Sequence, residues 1–118
     1  MNVREAVISF QYAERIKSGL IIASKLIDEA HKMHEDERLG AEKLLVSFMN
    51  ALNGEIKIAY NASRLQSFKD ASLSIEKSIE NIRSRKFDEA IRNVSHAISL
   101  ATTEGQRAVE TLEAERII

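Results

Sequence analysis

The stretch from Phe87 to Glu115 reads FDEAIRNVSHAISLATTEGQRAVETLEAE, and it decides the fold class. Apolar or small residues recur in it at alternating steps of three and four: Ile91, Val94, Ile98, Ala101, Gly105, Ala108 and Leu112. Because an α-helix turns once every 3.6 residues, this spacing places all seven along one side of a helix. Its persistence over three heptads is typical of coiled-coil-like packing. The small residues at 101, 105 and 108 predict a close approach by a neighbouring helix.

The first part of the chain is predicted to form another long helix, with Asn2 as its N-cap and its end near Met33 or His34. It carries two apolar seams. One seam contains Tyr12, Ile16, Gly19, Ala23, Leu26, Ala30 and Met33. The other contains Ala6, Phe10, Ala13, Leu20 and Ile27, with Lys17 and Ser24 interrupting it. Since the two seams lie about 120° apart around the helix, we expect this helix to be buried on more than one side.

The middle of the chain is predicted to hold two more helices. Asp36 is a candidate N-cap for the second helix, whose seam is Ala41, Leu45, Phe48, Leu52, Ile56 and Ala59. The turn that follows has two candidate positions, Asn53-Gly54 or the stretch from Asn61 to Asp70. Asn-Gly is also a hairpin signal, but the residues around it follow the helical period more closely than an alternating one. The third seam is Ile58, Leu65, Phe68, Ser72, Ile75, Ile79 and Ile82.

The composition supports an all-α fold. The 118 residues include no proline and only four glycines, whereas strand-rich folds need frequent Gly and Pro to reverse the chain. The length suits one domain. We therefore predict a single domain over residues 1–118, an antiparallel bundle of about four helices in which the first and last are long.

Charge and residue usage narrow the choice of partner and location. The chain has 17 Lys and Arg against 18 Asp and Glu, so a nucleic-acid partner is disfavoured. It has no run of about 20 apolar residues, so no membrane span is predicted. The absence of cysteine and of a signal-like N-terminus leads us to expect a cytoplasmic protein.

One cluster of side chains has the composition of a metal site. Asp28, His31 and Glu35 lie at i, i+3 and i+7, and His34 lies alongside them. Carboxylate and imidazole ligands together suit zinc or another first-row ion. The alternative interpretation is a polar helix end that enters a solvated turn. No other cofactor is predicted.

The motifs do not indicate catalysis. The chain has neither a P-loop nor a nucleophile elbow. We expect a non-catalytic interaction or structural module that forms a homodimer through Phe10, Leu20 and Ile27 of the first helix. The alternative is a small enzyme or a metal- or ligand-binding subunit that uses His31, His34 and Glu35.

Overall fold

Four α-helices make up the computed structural model, which describes all 118 residues: α1 (Val3–Lys32), α2 (Glu35–Ser63), α3 (Gln66–Arg83) and α4 (Phe87–Ala114). Connections of two or three residues make successive helices antiparallel, and α4 packs back against α1 to close the bundle. The molecule measures 54 × 22 × 18 Å. The predicted all-α bundle of four helices is confirmed, although α2 proves as long as α1 and α4. None of the helices combines the length and apolar content that a membrane span requires.

The start of α1 matches the prediction, whereas the start of α2 does not. The Asn2 side chain accepts a hydrogen bond from the Glu5 amide at 2.8 Å, and the Glu5 carboxylate accepts one from the Asn2 amide. This is a capping box. The predicted N-cap of α2, Asp36, is wrong, because the helix already begins at Glu35 and its N-cap is His34. Asp36 instead lies in the first turn, where a negative charge complements the helix dipole.

The turn between α2 and α3 lies in the second of the two predicted positions. α2 runs through Asn53 and Gly54 without a break and ends at Ser63, so a turn or hairpin at Asn53-Gly54 is wrong. Asn53 is buried, and its side-chain oxygen accepts a hydrogen bond from the Ser72 hydroxyl at 2.7 Å. Arg64 reverses the chain with a left-handed φ of 60°.

The core takes five of the seven residues of the predicted seam of α4 and extends to one side of it, through Phe87, Ala90, Ala97 and Glu104. Val94, Ala101, Gly105, Ala108 and Leu112 are buried, and the two isoleucines of the seam are half-buried at its edge. A Cβ atom placed on Gly105 would lie 3.5 Å from the Cβ of Ala13. The predicted close approach at the small residues of α4 is therefore made by α1.

In α1 the core lies between the two predicted seams, and residues of both seams are buried. The buried residues are Ala6, Ser9, Ala13, Ile16, Leu20, Ala23, Ile27 and Ala30. This placement corrects the predicted dimer interface. Leu20 and Ile27 are completely buried inside their own chain and cannot contact a second copy, while Phe10 is partly exposed.

Candidate functional site

The four predicted metal ligands lie on both sides of a break between two helices. α1 ends at Lys32, and His34 caps α2, so the single helical stripe on which the prediction depended does not form. The Asp28 carboxylate lies 2.9 Å from the Lys32 ammonium. The hydrogen bond to Asp28 and the carboxylate's charge raise the pKa of Lys32.

The other two candidate ligands have separate partners. His31 stacks on Phe87 at 5.1 Å between ring centroids, and the Glu35 carboxylate lies 3.1 Å from the Arg85 guanidinium. The structure contains no group of three His, Cys, Asp or Glu side chains that could hold one ion. Metal binding by these residues stays a prediction, which metal analysis can test.

His31 belongs to a cluster that joins the end of α1 to α2 and α4. The Arg38 guanidinium donates hydrogen bonds to the carbonyl oxygens of His31 and Met33, at 3.3 and 2.8 Å. It also lies over the Phe87 ring at 5.6 Å. A helix end leaves carbonyl groups without partners, so Arg38 satisfies two of them. Capping the end of α1 is therefore a sufficient role for this cluster.

A buried carboxylate in α4 was not foreseen from the sequence. Glu104 is 1% exposed, and one of its oxygens accepts hydrogen bonds from the Ser67 hydroxyl at 2.8 Å and from Arg107 at 2.9 Å. The other oxygen is buried without a partner. The i,i+3 spacing of Glu104 and Arg107 suggests an exposed ion pair, and only the position of α3 shows that the acid lies inside. The bond from Ser67 ties the start of α3 to α4, and the bond from Arg107 lies within α4.

The outward side of α2 carries no charge along its centre. We name six of its residues the α2 outer seam: Gly40, Leu44, Ser47, Ala51, Gly54 and Ile58. They follow alternating steps of four and three, and all six are exposed. Leu44 is 76% exposed and Ile58 is 58% exposed. In a chain that is 30% charged, an uncharged exposed seam with a large apolar residue near each end is a candidate contact surface.

The two glycines of the α2 outer seam have no steric role within the chain. No atom lies within 4 Å of a Cβ placed on Gly40 or on Gly54. Gly19 of α1 is different, because Leu52 occupies the space that its side chain would take. Each glycine inside a helix costs about 1 kcal/mol relative to alanine. A close approach by another molecule would account for this cost at Gly40 and Gly54.

Two contacts define the register between α2 and α1. The Arg15 guanidinium lies 2.7 Å from the Glu55 carboxylate, and Gly19 lies beside Leu52. Because the helices are antiparallel, moving along α1 by one turn moves back along α2 by one turn.

This register extends the apolar surface from α2 onto α1. It places Ile22 and Leu26 of α1 beside Phe48 and Leu44 of α2. Ile22 is 49% exposed and Leu26 is 40% exposed, and Phe48 is half-buried. The α2 outer seam is therefore one edge of a wider apolar surface.

Comparison of the chain with protein-family models, curated proteins and solved structures finds no match.

Proposed function

We propose that this chain is a non-catalytic helical module that joins polypeptide chains, and that it acts as a homo-oligomer. The observation that carries the proposal is the α2 outer seam, with Leu44 and Ile58 in solvent and no charge between them. Ile22 and Leu26 continue the same surface on α1. The site is a helix face, so a helix of a second chain is the partner that it suits.

The total surface is consistent with a covered face. The chain exposes 7034 Å², whereas a monomer of 13.3 kDa is expected to expose roughly 6,500 Å². Part of the difference reflects the elongated shape.

The expected affinity follows from the number of large side chains that association would cover. Two copies contribute two Leu44 and two Ile58 side chains. Burying these four side chains stabilises the complex by on the order of 4–8 kcal/mol. Association itself costs ~4–15 kcal/mol. The α2 outer seam alone therefore offsets at most the lower part of this cost, and Ile22 and Leu26 must contribute to a stable complex. We expect weak association that depends on concentration.

Sedimentation velocity over a concentration series tests this proposal. We expect the average mass to rise with concentration for the natural chain and to stay at that of one chain for Leu44→Glu. The matched control is Leu73→Glu on α3, because Leu73 is also a large exposed residue, at 49%, and does not belong to the proposed contact surface on α2 and α1. A natural chain that remains a monomer at all concentrations, or an equal loss in both variants, would contradict the proposal.

A further inference from the structure

We infer that the occupant of the α2 outer seam is the same seam of a second copy, running antiparallel about a two-fold axis. This inference rests on the proposed function and adds the identity and register of the partner. The six seam residues follow steps of four, three, four, three and four, which read the same in both directions. Antiparallel pairing can therefore match every seam position with a seam position of the other copy.

In this register each outer layer combines a large residue with a glycine. Leu44 lies against Gly54 of the second copy, and Ile58 lies against Gly40. Ser47 and Ala51, both small, form the central layers. The open space beside each glycine receives a large side chain, so no layer holds two large residues or two glycines. Even filling of the layers is what close packing between helices requires.

A parallel pair would fill the layers unevenly. It would place Leu44 against Leu44 and Ile58 against Ile58, but glycine against glycine in the layers at Gly40 and Gly54. The large layers would then hold the helices apart and leave gaps at the small ones. Gaps forfeit the dispersion contacts of the atoms that line them. Volume therefore favours the antiparallel arrangement.

The charges beside the seam favour the same arrangement at its ends. One flank of α2 carries Asp36, Lys43, Asn50 and Lys57 at heptad spacing. A two-fold axis in the interface brings this flank against the same flank of the second copy. The acidic first turns of the two copies, with Asp36 in each, then lie at opposite ends of the pair. A parallel pair would instead gather both acidic first turns at one end. The least favourable contact of the register is Lys43 against Lys57, whose long side chains can reach solvent.

The contact area explains why such a dimer should be weak. The α2 outer seam spans 19 residues, so its ends lie about 27 Å apart at a rise of 1.5 Å per residue. With a helix diameter of about 10–12 Å, its footprint is roughly 300 Å² per copy. A stable dimer buries about 800 Å² per partner. We therefore expect a dimer that exchanges rapidly with monomer, rather than an obligate one.

Disulfide cross-linking tests the register directly, since the chain contains no cysteine. The variants are Gly40→Cys and Ile58→Cys, each oxidised alone and as a mixture, with Leu73→Cys as the control. In the antiparallel register, residues 40 and 58 of different copies meet, whereas two copies of residue 40 lie about 27 Å apart. A disulfide needs Cα atoms within ~7 Å. We expect dimer on a non-reducing gel only from the mixture.

The outcomes separate this inference from the proposed function. Cross-linking of each single variant without preference for the mixture would show a parallel pair and overturn the inference, while the proposed function stands. A concentration-dependent dimer with no cross-link in any sample would place the contact on another face and overturn it as well. A chain that sediments as a monomer throughout and never cross-links would overturn both.

Discussion

Replacing Gly54 by alanine should stabilise the single chain and weaken its pairing with a second copy. Gly54 lies in the interior of α2 on the exposed side, and no atom lies within 4 Å of the position of an added methyl group. Alanine loses less backbone entropy than glycine when a helix forms. The free energy of unfolding of the monomer should therefore rise by about 1 kcal/mol. For a chain of this size, that corresponds to a rise in Tm of about 3–6 °C.

In the dimer the same methyl group occupies space that Leu44 of the second copy needs. Overpacking a close contact typically costs about 1–3 kcal/mol, and the two-fold axis repeats the contact. Because every 1.4 kcal/mol changes an equilibrium constant tenfold, the dissociation constant should rise at least about tenfold. The substitution therefore acts with opposite sign on folding and on association.

Two assays measure the two effects. Urea denaturation at low protein concentration gives the stability of the monomer, and sedimentation at high concentration gives the dissociation constant. Ser95→Ala on the exposed side of α4 is the control, because it raises helix propensity away from the α2 outer seam. If Gly54→Ala lowers the stability of the monomer, Gly54 does not lie at an open, exposed position inside a helix. If it leaves association unchanged, Gly54 is not in the contact.

Three further predictions concern the core, the flank of the seam and the predicted metal site. Asn53→Ala leaves the buried hydroxyl of Ser72 without a partner, so urea denaturation should show a loss of about 1–3 kcal/mol that adding Ser72→Ala partly restores. Lys43→Glu replaces repulsion from Lys57 of the second copy by attraction in two places, and should tighten the dimer about fivefold at ~0.5 kcal/mol per exposed pair; unchanged sedimentation would count against the register. Metal analysis of purified protein decides whether Asp28, His31, His34 and Glu35 bind an ion. One ion per chain that is lost in His31→Ala would confirm the site. If His31→Ala lowers the stability of the protein and a chelator does not change that effect, the role of His31 is its stacking on Phe87.

The sequence predicts part of the inward side of α4. The spacing singles out Val94, Ala101 and Leu112, which are all buried. The core also extends to one side of this seam, through Ala97 and Glu104, and leaves Ile98 half-buried. In α1 two seams compete, and spacing alone does not show that the core lies between them. Leu20 therefore reads equally well as interface or as core, and only the positions of α2 and α4 decide.

The candidate site shows what spacing leaves undetermined. The seven-residue steps of Leu44, Ala51 and Ile58 are visible in the sequence, but the stronger seam through Leu45 and Ile56 determines which side of α2 turns inward. An uncharged second seam was the signal that could have revealed the site. The metal prediction required one continuous helix through residues 28–35, although the first helix was itself predicted to end near Met33 or His34, inside that stripe, and it ends at Lys32.

The central claim is that the uncharged outward side of α2 is the contact surface of the protein. The most direct test is a dilution series of two-dimensional ¹H–¹⁵N NMR spectra, in which the amide signals of Gly40 and Gly54 fall in the distinct glycine region. We predict that concentration-dependent shifts occur for residues 40–58 and for Ile22 and Leu26, but not for Leu73 or its neighbours on α3. Spectra that do not change with concentration, or shifts confined to α3 and α4, would contradict the claim.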